Sequence, residues 1–402
     1  MGKATEIGKK IIRANIDLDA PKHIFLMLFM LIDRKNPDSF FKPYYDILPP
    51  TLSNMPIFWN EDELKALQGS HVLTQIEERK MAIDNDYMEI CQVAPEFVHI
   101  CTSMEFAWAR MAVCSRNFGM VVNGLRTAAL VPYADMLNHY RPRESKWQFE
   151  DNCQAFTIIS LATMSVGAQV YDSYGLKCNH RFLLNYGFSV EDNIEEDGSC
   201  PNEVPMLFGL NKDDPLSQTK MSMWTRDLSV AKRRIRLAVA DNENFRLALG
   251  LLRIAVATQE DLDGYIERHG TNMFRSIRDL ANPMNIANEE RMLLKLAEMC
   301  QDYLSRYEYS YESDCARLSS SDESELPLYS NARNAVIQVK GEKQVLIHYL
   351  NLANTGLAHI RCPSDDQCED MLKLLEQKSS HLVYTYCAIE ISKLRRHSGV
   401  TR

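Results

Sequence analysis

The spacing of apolar positions divides the chain into a helical first part, a strand-rich middle and a helical remainder. Ile24–Ile32 is apolar and Pro21 stands where a first helical turn accepts proline, which predicts a core helix over His23–Asp33. Residues 1–20 read as a short helix and then a turn at Asp19–Lys22. The aromatic, proline-rich stretch Ser39–Pro50 (SFFKPYYDILPP) reads as a packed loop whose rings fill a core. Asn60 ahead of Glu61, Asp62 and Glu63 is a capping residue with acids at the positive helix end, so a helix starts there. Helical spacing then continues, with interruptions, to about Cys114.

Between residues 120 and 190 the period drops to two. Val170, Asp172 and Tyr174 alternate with Tyr171 and Ser173, which predicts a strand entered through a turn at Gly167 and ending at Tyr174. Ser189–Pro205 is acidic and loop-like, and a domain boundary belongs there. From Met206 onward the pattern is read as almost wholly helical. Thr258–Asp261 carries a capping-box signal, and Asn288-Glu289-Glu290 opens an amphipathic helix bearing Leu293, Leu296, Ala297, Cys300 and Leu304 on one side. Ser319–Leu326 reads as a mobile, serine- and acid-rich loop, and two further helices are expected over Asn331–Ala353 and Gln367–Leu394.

Composition narrows the class. The chain has 402 residues, enough for two domains with their own cores, and its apolar and charged fractions are those of a soluble globular protein. A net charge of −9 implies no general basic surface for a nucleic-acid backbone, and the short basic tail Lys393–Arg402 reads as solvated. Eleven cysteines without a CxxC pair fit a reducing compartment and argue against both a disulfide framework and a structural zinc, so no metal is expected. Ile24–Ile32 is far too short to span a bilayer and no leader is evident, so an intracellular protein, cytoplasmic or nuclear, is expected without a membrane partner. There is no glycine-rich phosphate loop and no repeat of solenoid period.

Candidate chemistry is concentrated between Val131 and Phe188. Asn138-His139 is a polar pair closing the apolar run Ala128–Leu137, Tyr174-Gly175 follows the alternating segment, and a second Tyr-Gly pair stands at Tyr186-Gly187. The blocks DMLNH, VGAQVYDSYG and KCNHRFLLNYGF, in this order, resemble the SET-domain protein methyltransferases of the branch typified by the Rubisco large-subunit methyltransferase and the actin-histidine methyltransferase. Ser39–Pro50 is similar to a stretch in that branch's helical insert.

The resemblance implies an α+β fold: a small multi-sheet SET core over residues 1–195, split by a helical insert at about 20–115, then an all-helical substrate-binding domain over 196–402. It implies S-adenosyl-L-methionine as cofactor, held by Arg116 and Tyr174 and, largely through backbone groups, by Asn138 and His139. A guanidinium such as that of Arg116 suits a carboxylate because its donors lie paired in one plane. Tyr174 is expected to be catalytic and Tyr186 to line the acceptor channel. Asp172, on the face of Tyr174 by alternation, is a candidate substrate contact whose carboxylate would favour an ammonium over the neutral amine; Asp172→Ile tests this.

The expected reaction is methyl transfer to a lysine of a protein substrate, with histidine as a second possible acceptor. A non-catalytic SET-derived binding or scaffold protein is the alternative. The feature favouring the alternative is the absence of any Gly-x-Gly, which the family carries in a strand pair around the methionine end of the cofactor; Met1 falls just after the place of that pair. Either the sequence is incomplete at its N-terminus or part of the cofactor pocket has been lost.

Overall fold

A computed structural model describes residues 1–225, 232–240, 242–269, 282–322, 324–378 and 380–398. The chain forms two compact units, one of residues 1–67, 72–198 and 322–338, the other of 68–71, 199–321 and 339–402. The α+β class expected from the sequence is the class observed.

The first unit opens with six helices: α1 (Glu6–Ala14), α2 (Pro21–Asp33), α3 (Lys42–Ile47), α4 (Glu61–Lys65), α5 (Val72–Val93) and α6 (Ser103–Arg116). Pro21 occupies the first turn of α2, and Ile24, Met27, Leu28 and Leu31 are buried along it. Asn60 caps α4 through a reciprocal box with Glu63, and Thr102 caps α6 in the same way with Glu105. The expected loop at Ser39–Pro50 is corrected to a helix over part of its length. Pro43 sits in the first turn of α3, where a missing N–H costs nothing. Nor do its aromatics simply fill a core: Tyr44 is buried, but Phe40 is 89 % exposed.

Three short pairings follow. Strands β1 (Asn117–Val122) and β2 (Leu125–Leu130) form an antiparallel hairpin, as do β4 (Ser145–Glu150) and β5 (Ala155–Ser160). Between these hairpins in sequence lies β3 (Asn138–His139), which pairs in parallel with β6 (Tyr171–Asp172), setting Asn138 against Tyr171 and His139 against Asp172. The predicted strand through Tyr174 is therefore too long. The Ser173 N–H is taken by the Asp172 carboxylate at 2.7 Å and the Tyr174 N–H by His139 Nδ1 at 3.0 Å, which removes both donors from any ladder. Helix α7 (Asn179–Tyr186) ends at Gly187, whose φ of 76° is left-handed and whose N–H reaches Leu183 O.

The second unit departs from the all-helical expectation at its start. Strands β7 (Glu203–Gly209) and β8 (Lys232–Ala238) pair antiparallel, with α8 (Ser217–Thr225) between them in the chain. Alternate β7 residues Val204, Met206 and Phe208 are buried, a period-two pattern that a helical reading overlooks. Helices α9 (Glu243–Ala255), α10 (Gln259–His269), α11 (Ile286–Leu304) and α12 (Tyr311–Ser319) follow. Thr258 and Asp261 form the expected capping box. Helix α11 starts earlier than expected, with Asn285 as its cap. Asn288 and Glu289, expected to open that helix, are fully buried, and Glu289 holds Arg253 of α9 through two bonds of 2.8 and 2.7 Å. The expected loop over Ser319–Leu326 begins inside α12 and includes residue 323, which lies outside the described residues.

Helix α13 (Asn331–Ile360) runs past its expected end; its residues 331–338 belong to the first unit. The last expected helix is broken instead into α14 (Asp365–Lys378), α15 (His381–Thr385), a π-turn at Tyr386–Ile391 and α16 (Ser392–Ser398). Ser380 caps α15 and marks the break. Among the described residues no helix is long and apolar enough to cross a membrane.

Candidate active site

Three junctions of the first unit converge. At the first, α6 gives way to β1: Asn117 turns its amide back onto Val113 O and Cys114 O at 2.8 and 3.1 Å, capping the helix and presenting Ser115 and Arg116. At the second, the short turn Ala134–Met136 leads into β3 and carries Asp135. At the third, the chain leaves β6 through Tyr174-Gly175, with Gly175 at φ 91°. Side chains tie the three together. The Tyr174 hydroxyl donates to Leu137 O at 2.8 Å, immediately before Asn138, while Arg116 donates to Asp135 O at 3.1 Å and to its carboxylate at 3.3 Å.

Two cavities open against this framework. The larger, of about 560 Å³, is lined by Arg116, Asn138, Tyr174, Tyr186 and Phe188, with Asn54 and Asn334 among its polar groups. The smaller, of about 200 Å³, is lined by Phe118, Trp147, Asp172, Tyr174, Lys177 and Tyr186 among others. Both share Ser115, Arg116, Asp135, Tyr174 and Tyr186, so these residues form a common wall. The first volume is that of a site for a nucleoside-sized molecule; the second has room for one side chain. The aromatic walls are braced, with Tyr174 stacked on Tyr186 at 4.8 Å and Phe118 edge-on to Trp147 at 5.1 Å.

Burial sets the charge states. The Tyr174 and Tyr186 phenols are each pushed up to about 12, so both remain protonated and act as hydrogen-bond donors rather than as bases near neutrality. His139 is pushed down to about 4, chiefly by burial and then by Arg141 and Lys177, and stays neutral. Because its Nδ1 accepts from Tyr174 N–H, its proton resides on Nε2. Burial also raises Asp135, against the opposing pull of Tyr44 and Arg116, and raises Asp172, against Ser173 N–H, Arg143, Trp147 and Ser145.

Of the residues singled out from the sequence, Arg116, Asn138, Tyr174 and Tyr186 line the larger cavity, and Asp172 lines the smaller with Arg116, Tyr174 and Tyr186. The His139 ring lines neither. It lies 5.3 Å from the Tyr174 ring and 4.8 Å from that of Phe182, and serves to hold the Tyr174 backbone. The Asp172 side chain is buried and its carboxylate accepts from Ser173 N–H at 2.7 Å, while the Ser145 hydroxyl donates to Tyr171 O at 2.7 Å. Sequence reasoning missed Asp135, the lone acid in the run before Asn138, which signals a buried partner. It also missed Tyr44, assigned to core filling, whose hydroxyl donates to Asp135 at 2.7 Å. Lys177, Trp147 and Asn54 were missed as well, and no local pattern marks them.

Residues 211–346 match the family described as Rubisco LSMT substrate-binding. The actin-histidine N-methyltransferase of Canis lupus familiaris is 26 % identical over 359 residues, covering 86 % of this chain and 58 % of the relative. That of Homo sapiens is 24 % identical over 392 residues, covering 94 % and 62 %. The chain thus spans about three-fifths of the length of these curated relatives. A structure of Rubisco LSMT bound to sinefungin and monomethyllysine superposes with a TM-score of 0.70 at 22 % identity, covering 94 % of this chain and 84 % of that one. The SET domain of LSMT bound to lysine and AdoHcy gives 0.69 at 20 % identity, covering 95 % and 84 %. In the domain matched over residues 211–346, in sequence and in fold, the chain is similar to the SET-domain protein methyltransferases of the Rubisco LSMT and actin-histidine N-methyltransferase branch.

Proposed function

We propose that this protein is an S-adenosyl-L-methionine-dependent protein N-methyltransferase acting on a lysine side chain of a protein substrate. The observation that carries the reading is the meeting of Asn138 and Tyr174 on one cavity wall, with a side-chain-sized chamber beyond the same tyrosines. The residues fit the cofactor. Arg116 offers paired donors to a carboxylate, the Asn138 amide faces the cavity with no bond to another described residue, and Tyr186 and Phe188 supply flat apolar surface. When bound, the cofactor supplies an electrophilic methyl group on a sulfonium centre.

The protein's contribution is alignment and exclusion of water. Tyr174, tied to Leu137 O and backed by Tyr186, stands where the two cavities meet and directs a protonated phenol at the transfer point. Arg116 would hold the cofactor's carboxylate end, and His139 keeps Tyr174 in place through its N–H. Phe118, Trp147 and Tyr186 favour the neutral form of an entering amine by withholding water from it. A histidine acceptor is the second reading, supported by the names of the curated relatives. Residues 1–195 are proposed as the SET part, with its insert at about 20–115, and residues 196–402 as the part that docks the protein substrate. Action inside the cell accords with Cys101, Cys300 and Cys387 being buried free thiols.

The test is calorimetry with S-adenosylhomocysteine, followed by labelled methyl transfer to proteins of an extract. Binding is expected, and Tyr174→Phe is expected to lower transfer about a hundredfold while binding persists. Binding without transfer by the wild-type chain would instead favour a non-catalytic role.

A further inference from the structure

The smaller chamber already contains an amine. Lys177 lies between β6 and α7, and its Nζ donates to the Tyr174 carbonyl and stands 5.8 Å from the centroid of the Tyr186 ring. These are the kinds of group that would receive an entering ammonium: a carbonyl oxygen and an aromatic face. Among the described residues Lys177 has no carboxylate at ion-pair distance; Asp172 is near enough to raise its pKa slightly, but its carboxylate accepts from Ser173 N–H. A lysine placed only for stability would gain more from such a partner. Lys177 lines the smaller chamber together with Tyr174 and Tyr186, the two tyrosines that also line the larger cavity.

We infer that Lys177 is itself a methyl acceptor, modified by the same chain that holds it. The inference rests on the methyl-transfer reading and extends it to an acceptor within the protein. Burial, with Arg181 and Arg141 nearby, lowers the Lys177 pKa and enlarges the share of neutral amine. The ammonium first releases a proton to water. The nitrogen lone pair then forms the N–C bond as the C–S bond breaks, sulfur retains that electron pair as a thioether, and nitrogen becomes a methylammonium. A lysine from another protein has to displace Lys177 from the same carbonyl and ring, so the internal amine also competes with external acceptors.

The experiment incubates the purified chain with S-adenosylmethionine bearing a deuterated methyl group and maps the label by peptide mass spectrometry, with S-adenosylhomocysteine calorimetry in parallel. Expected is one labelled methyl on Lys177, gained at a fractional rate independent of chain concentration, reduced about a hundredfold in Tyr174→Phe and absent in Lys177→Arg. Donor-analogue binding with Lys177 unlabelled overturns this inference alone. Absence of binding overturns it together with the methyltransferase reading. A rate that climbs with chain concentration overturns the claim that the chain modifies itself.

Discussion

His139 illustrates how one side chain serves a site it does not line. Its neutral ring accepts from Tyr174 N–H and lies against Tyr174 and Phe182, so it orders the segment that carries the phenol. This neutrality has a pH signature. The folded chain holds His139 at about 4, below its ordinary 6.5. Between those values the unfolded chain binds a proton that the folded chain does not, so acidification costs stability across that window. The His139 part of the loss is complete below about 4. Urea unfolding from neutral pH down to about 4 is expected to decline less steeply for His139→Gln than for the wild type. Equal slopes would assign the decline to other groups. The sequence marked this residue as functional, but only its contacts define a positioning role.

Among the elements, those with local signals were legible and those dependent on distant partners were not. The caps at Asn60 and Thr258 and the apolar run of α2 are written within a few residues, because helix ends need nearby side chains to satisfy their free N–H groups. The opening of α11 was misread because Glu289, an ordinary solvent-facing acid by pattern, is fully buried against Arg253. Removing Arg253 leaves the buried Glu289 carboxylate with the Tyr386 hydroxyl as a partner but without its counter-charge. Arg253→Met alone is expected to destabilise the second unit by about 3–5 kcal/mol, whereas replacing both residues with apolar ones of similar volume should cost much less. Thermal unfolding of the single and double variants measures the difference. The two-residue strand β6 was overextended for a related reason: alternation cannot reveal that the next two N–H groups are taken by Asp172 and His139.

At the scale of the molecule, a ligand that binds only the folded state must stabilise it by mass action. S-adenosylhomocysteine at a hundred times its Kd should add about 2.7 kcal/mol, read as a raised Tm, and Asn138→Ala should reduce the shift at the same concentration. No shift at any concentration would sink the cofactor reading. The sequence by itself determined the class of fold, the order of the Asn-His and Tyr-Gly blocks and four of the residues on the larger cavity, Arg116, Asn138, Tyr174 and Tyr186, because short motifs and caps are local properties. Tertiary structure alone decided that Tyr44 satisfies Asp135, that the buried Asp172 carboxylate takes the Ser173 N–H, and that Lys177 lines the smaller chamber. These facts depend on which distant backbone groups need partners after burial, and no spacing along a chain records that need.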